Sequence, residues 1–482
     1  MKGLARGFGV QVSIPLQKSH LASSFPPTIT SSFSAKQQNS EDVSQRVAGT
    51  QTEAEARLEA LQCHFTWKLH ASRSRLFLLK DKVEDIGTVE GYSWLGHMYN
   101  LQGFIHHQLG LTPEALRYFR RAAEALRQVR NTISEEGPWL VINYGNLAWL
   151  HHLMGEQAES QSYLSKVQTL LIDHPSPCLE ELHPEICAEK AWTLMTFGKD
   201  KTPLVVEYFQ RAIRMQPDVV EWHSSHVVAL ARTSKRYNAR LQADILEKMD
   251  IAVKHDPDNL YLATLHLTAR AAKGRRIESE ACRLAKKVLG KPASSYSGIK
   301  PLLKLYRVHL SMQEALDLAE EAVERHPGHR YLKRCAAICY KKRILFYKDT
   351  PPEQNLMDRA ISLHEEVISL YPQSSLRRKI TLANICAKSA HGQAKADRIF
   401  EDLLEDSQEA ADRQMLYSAY AKYLHLTKRQ SYKSIEYYMR AAAIQHPSVY
   451  RAKSIQILEK IKARNRNRMC GEIDELLANL RD

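Results

Sequence analysis

Glycine and proline are both scarce in this chain, at 19 and 18 of 482 residues. Folds built from many strands joined by tight turns depend on those residues, so a sandwich or barrel is disfavoured. No stretch approaches the ~18 uninterrupted apolar residues that a membrane-spanning helix requires, so no membrane partner is expected. None of the eight cysteines forms a CxxC pair, which removes a zinc ribbon or a thioredoxin-like motif. Cys335 and Cys339 stand one helical turn apart, and buried free thiols explain them better than a metal pair. Free, scattered thiols suit a reducing compartment, the cytosol or nucleus. GxxxxGK[ST], HExxH and GxSxG are all absent, and Gly198-Lys199 lacks the upstream glycine of a phosphate loop. The expectation is a protein that is not an enzyme and carries no cofactor. His106-His107 and His151-His152 could suggest a metal, but no carboxylate or thiol is spaced to complete a ligand set.

Residues 1–40 lack Asp and Glu and contain eight Ser and three Pro. That composition predicts a disordered N-terminal extension over 1–50, ahead of a folded array over 51–482. The segment has no apolar stretch for a secretory signal. A mitochondrial transit peptide would be Arg-rich, and only Arg6 is present.

What the chain does have is helical periodicity. From residue 54 apolar residues recur at three and four. Pro217, Pro257, Pro327, Pro372 and Pro447 follow apolar-periodic runs at separations of 40, 70, 45 and 75 residues. These are close to one, two, one and two units of ~34–40 residues. Five residues before each proline stands Ala212, Ala252, Ala322, Val367 or Ala442; twelve before stands Val205, Ile245, Ala315, Ala360 or Ile435. One helix face with a proline stop is being rewritten, as in the second helix of a tetratricopeptide hairpin. Gly103, Gly110, Ala115, Phe119 and Ala122, and then Ala148, Gly155, Leu164 and Val167, fall at repeat positions of two such units. The expected fold is all-α: a tetratricopeptide superhelical solenoid of about nine hairpins, with a long concave surface for a ligand.

Lys plus Arg is 68 against 54 for Asp plus Glu, a formal charge of +14. The excess is segregated. Windows for first helices (222–237, 259–276, 295–311, 328–348, 374–390 and 413–429) carry 25 basic residues and no acidic one. Windows for second helices (203–216, 238–257, 312–326, 353–371 and 391–408) carry 9 basic and 19 acidic residues. First helices line the inner surface of such a solenoid, so a basic groove is expected, and its natural occupant is a polyanion. Trp192, Trp222, Tyr237, Tyr261, Tyr296, Tyr306, Tyr331 and Tyr340 are interleaved with the charge. Such interleaving suits single-stranded nucleic acid, although core packing also accounts for aromatics at this spacing.

Specific motifs then carry a family resemblance. Cys63-His64-Phe65-Thr66-Trp67 is followed by Gly145-Asn146-Leu147-Ala148-Trp149 and Met154-Gly155, then by Pro184-Glu185 with Trp192. Asp256-Pro257-Asp258-Asn259 with Tyr261, Tyr306-Arg307 and Cys339-Tyr340-Lys341 come later. In order and spacing, from about 54 to about 465, the chain resembles the interferon-induced proteins with tetratricopeptide repeats. The first ~50 residues have no counterpart in typical members, and the chain ends about one hairpin short of them.

The resemblance implies a cytoplasmic innate-immune antiviral effector that binds the 5′ end of single-stranded RNA, triphosphate or cap, and that forms homo- or hetero-oligomers. It matches Trp192 to a cap-stacking tryptophan, Arg232 to a phosphate-facing arginine and Tyr261 to a tyrosine on the RNA path. Lys82 and Lys300 stand where arginines are usual, keeping charge without a planar fork. Lys304, Arg307 and Arg334 complete the candidate RNA contacts. The chain departs from the pattern at Thr196, in place of a phosphate-binding lysine, and at Thr202, Ile86, Pro301 and Arg334-Cys335. The competing expectation is a repeat adaptor whose groove receives acidic peptides.

Overall fold

A computed structural model describes residues 53–86, 94–129, 136–198, 201–233, 239–294, 297–347, 352–389, 391–406, 409–464 and 466–480. The chain divides into two compact units, 1–56 and 57–482. The extension expected over 1–50 lies outside the described residues.

Among the described residues the regular structure is helical, with no strand. Helix α1 (Arg73–Glu84) precedes nine successive pairs. These are α2 (Leu95–Gln108) with α3 (Thr112–Val129), α4 (Val141–Leu153) with α5 (Gln157–Asp173), and α6 (Pro184–Phe197) with α7 (Thr202–Met215). Next come α8 (Val220–Thr233) with α9 (Ala239–His255), α10 (Leu260–Ala272) with α11 (Glu278–Leu289), and α12 (Ile299–His309) with α13 (Met312–Arg325). Then follow α14 (Arg330–Phe346) with α15 (Gln354–Leu370), α16 (Leu376–Cys386) with α17 (Gln393–Glu405), and α18 (Ala410–Leu426) with α19 (Ser431–Ala443). Helices α20 (Val449–Arg464) and α21 (Cys470–Asn479) come last. The tetratricopeptide solenoid expected from the periodicity is the fold observed.

The repeat arises as the sequence dictates. Helices α7, α9, α13, α15 and α19 each stop two to four residues before the prolines named above. Ala212, Ala252, Ala322, Val367 and Ala442 are all buried, as are Val205, Ile245, Ala315, Ala360 and Ile435. A proline removes the backbone donor that another turn would need, so the helix ends there and the chain folds back. In the first hairpin Gly103 lets α2 lie on Phe119 of α3; a Cβ there would sit 2.6 Å from the ring. Gly110 and Gly155 close α2 and α4 at φ +82° and +81°, the left-handed cap that glycine adopts without strain. Each hairpin leaves an apolar face that its neighbours cover, so the core follows the stack as successive clusters, the first running from Cys63 to Leu262.

Helix α1 breaks this pattern. Besides packing on α2, it bonds to residues far along the chain. Its side chains reach the C-terminal end of α6, 114 to 122 residues on, and the α14 to α16 region, 245 to 293 residues on. It therefore bridges the end of α6 and the α14 to α16 region.

Candidate nucleic-acid interface

The C-terminal end of α6 leaves its last carbonyls without helical partners, and the helix dipole makes that end attractive to cations. Three cations occupy it. Lys82 Nζ donates to the Thr196 carbonyl at 2.7 Å, Arg75 Nη2 to that of Phe197 at 2.6 Å, and Arg232 Nη1 to that of Met195 at 3.1 Å. They come from α1 and α8, and two more cations, Lys300 of α12 and Arg334 of α14, are close enough to act on Lys82 electrostatically. Burial, then repulsion from Arg232, Arg75, Lys300 and Arg334, lowers the Lys82 ammonium from 10.5 to about 7. The Lys300 ammonium is lowered as well, by burial and then by Arg334. Like charges held this close, in a partly desolvated place, form a site that an anion would relieve.

On an adjoining face of α1 the cations have carboxylate partners. Asp85, whose side chain is fully buried, pairs with Arg330 at 3.1 Å and with Arg334, and accepts a 2.7 Å hydrogen bond from the Tyr371 hydroxyl. Glu84 pairs with Arg330 at 2.9 Å, and Asp81 engages Ser374 and, at 3.6 Å, Arg378. The three guanidiniums pack on the Tyr371 ring at 4.5, 5.4 and 4.2 Å. Burial pushes the Asp81 carboxyl up. The interior is thus basic but contains acid, all of it here supplied by α1. Elsewhere, first-helix cations meet second-helix acids across a hairpin, Arg270 with Glu280 at 2.9 Å and Lys333 with Glu366, and Lys428, just past α18, meets Asp397 of the preceding hairpin at 2.8 Å. Part of the charge segregation seen in the sequence is this pairing.

Of the residues expected to meet RNA, Lys82, Arg232, Lys300 and Arg334 come together. Lys304 and Arg307 follow Lys300 at i+4 and i+7, one stripe of α12, with Lys304 exposed. Arg307 Nε donates to the Leu303 carbonyl at 3.3 Å. Tyr261 is half-buried at the start of α10 and packs on the first core cluster. Trp192 is 1% exposed and stacks on Trp94, with centroids 5.9 Å apart and planes 13° from parallel; in this conformation its ring has no free face. Trp222, Tyr306, Tyr331 and Tyr340 are buried too, while Tyr237 and Tyr296 lie outside the described residues. His106 and His151, at one repeat position, pack on Tyr118 at 4.6 Å and Tyr163 at 5.5 Å.

Sequence reasoning missed Arg75, Arg330, Arg378, Tyr371 and the three carboxylates. A signal was present: Arg75 and Lys82 recur at i and i+7, and Asp81 and Asp85 at i and i+4, so α1 carries opposite charge on two faces.

The description Tetratricopeptide repeat fits residues 94–172. The human antiviral innate immune response effector IFIT1 is 24% identical over 433 residues, 87% of this chain and 89% of that protein. Its curated relatives are interferon-induced proteins with tetratricopeptide repeats. Another, the human protein numbered 2 of this set, is 25% identical over 84% of this chain and 87% of its own length. Solved structures of IFIT1 share the fold. One, a monomeric mutant with Gppp-AAAA, gives a TM-score of 0.60 at 24% identity, covering 89% of this chain and 97% of that one. A second, a dimer with PPP-AAAA, gives 0.58 and covers 88% and 96%. Among the described residues no helix is long and apolar enough to cross a membrane.

Proposed function

We propose that this chain binds the 5′ end of single-stranded RNA, triphosphate or capped, inside its solenoid, and acts in the cytoplasm as an antiviral effector of innate immunity without catalysing a reaction. The observation that carries the reading is the convergence of Arg75, Lys82, Arg232, Lys300 and Arg334 at the α6 C-terminus. Phosphate oxygens would take the place of carbonyls as acceptors and relieve the crowding of like charge. Lys304 and Arg307 would extend the charged track along α12, Tyr261 would stack on a base, and Trp192 would do so only where it leaves Trp94. The relatives support the reading, since human IFIT1 has been solved with PPP-AAAA and with m7Gppp-AAAA, as a dimer in both cases. Oligomers of this chain with itself or with related repeat proteins belong to the same proposal. So does an array over 51–482 that works without residues 1–50, whose deletion should leave melting temperature and RNA affinity nearly unchanged.

The test is a binding series with one RNA sequence ending in triphosphate, cap, monophosphate or hydroxyl. Triphosphate or capped RNA should bind best and hydroxyl RNA worst; equal affinity for all four rejects a 5′-end site. An acidic peptide is the second reading, favoured by the grip of Arg330, Arg334 and Arg378 on the chain's own carboxylates. Affinity for acidic peptides with none for RNA would establish it.

A further inference from the structure

A separate pocket opens between α7, α8 and α9, with a volume of about 690 Å³. That falls within the range of small-molecule sites. Its walls are apolar: Ile213 and Pro217 on one side, Ile251 and Ala252 on the other, and Val227 at the floor. Ile251 is about half exposed, so this surface stands open. Its polar groups are mostly cationic or imidazole. Arg214, Lys248, His223 and His255 line it, against the single carboxylate of Asp218.

The floor holds the decisive group. His226 is 9% exposed, and its Nε2 is buried without a hydrogen-bond partner. Burial, then Lys248 and His223, lowers its imidazolium to about 4, so the ring is neutral at physiological pH. A buried polar atom left unpaired costs free energy that a ligand can recover by bonding to it. Three neighbouring polar groups are already engaged. His223 Nε2 donates to the Pro217 carbonyl at 2.7 Å, Ser224 donates to Asp256 at 2.7 Å, and Arg214 pairs with Glu181.

We propose that this pocket binds a small amphipathic carboxylate, a monoacid with an apolar body. The body would lie between Ile213, Val227 and Ile251, and the carboxylate would accept from His226 and pair with Lys248. A small molecule fits better than a protein segment because the pocket has the volume of a small-molecule site and His226 is among its most buried lining residues. The site does not depend on the RNA reading.

The test is calorimetric titration of the full chain with octanoate, 1-octanol and octylammonium. Octanoate should bind at one site, with 1-octanol roughly tenfold weaker and octylammonium weaker still. His226→Leu removes the unmet nitrogen and keeps an apolar floor, so it should retain the melting temperature while losing the preference for octanoate over octanol. Ile251→Glu, on the open wall, should abolish octanoate binding, and Lys248→Glu, at an exposed position, should weaken it. Octanoate binding no better than octanol overturns the proposal. So does unchanged octanoate binding in His226→Leu and Ile251→Glu. Octanoate should also leave triphosphate RNA bound; displacement would move the acid to the solenoid interior and sink this site.

Discussion

The two sides of α1 hold similar numbers of cations with opposite fates. Toward α14 and the turn before α16, Arg330, Arg334 and Arg378 meet Asp81, Glu84 and Asp85 and fold around Tyr371. Toward α6, the bonds of Arg75, Lys82 and Arg232 described above go to carbonyl oxygens, which carry only partial charge. The first side uses its charge to fasten α1; the second crowds the buried Lys82 against other cations. A count of basic residues cannot separate these roles, whereas the acceptor each cation finds does. Arg334 belongs to both sides, pairing with Asp85 while acting on Lys82, so the fastening also positions the site.

The largest effect should come from breaking the fastening. Asp85→Ala leaves two guanidiniums and the Tyr371 hydroxyl without their shared acceptor in a buried place. Removing one partner of a buried pair typically costs about 3–5 kcal/mol. Urea unfolding should show a loss of that size, and a variant as stable as wild type would erase the distinction between the two sides. Trp192→Ala should cost a similar ~3–5 kcal/mol, because it empties a core position stacked on Trp94. A melting curve is the first measurement for that variant. If it melts like wild type, the ring is dispensable to the core, and selective loss of capped RNA would then establish the stacking role that the resemblance implies.

The repeat was legible because its signals are local: a proline stop, a small residue five before it, and apolar positions at helical spacing. Arg232, Lys82, Lys300 and Arg334 were legible through the charge bias and the resemblance. The three carboxylates of α1 were not, because their partners stand 245 to 293 residues away and no local pattern encodes that distance. Core packing at helical spacing already accounted for Trp192 and Tyr331, and both are buried. Aromatics on a first helix have the same spacing whether they face the groove or the neighbouring helix, and only the packed structure separates the two. The pocket over His226 was invisible for a like reason, since three helices build it and none carries a motif.

The crowded charge can be broken directly. Arg232→Glu reverses an exposed charge at the α6 C-terminus, so the fold should stand and binding should suffer. Charge-assisted bonds are worth about 1.5–3 kcal/mol, which corresponds to roughly ten- to a hundredfold in affinity for triphosphate RNA. Measured against salt, wild type should lose affinity with a log–log slope of about −0.7 per phosphate contacted, and the variant should have a shallower slope. A variant that binds like wild type, or a wild type indifferent to salt, takes RNA out of the interior.

The smallest and sharpest effect concerns protons. Lys82 falls from 10.5 unfolded to about 7 folded, so between those values the unfolded chain binds more protons at this site. Stability should therefore rise as pH climbs from about 7 towards 10, and below about 7 the cost of the buried charge is fully present. Binding runs the other way. A phosphate favours the charged ammonium, so RNA association should take up protons near neutrality, and affinity should fall as pH rises through 7. One proton limits the fall to about tenfold per pH unit. Lys82→Arg keeps the charge and removes the titration, since a guanidinium stays protonated throughout. The variant should bind RNA with a flatter pH profile between 6.5 and 8.5, and calorimetry in buffers of different ionisation heat should show less proton uptake than wild type. A wild-type profile as flat as the variant's would mean that Lys82 is charged before RNA arrives, and that the crowding at the α6 C-terminus is weaker than its geometry implies.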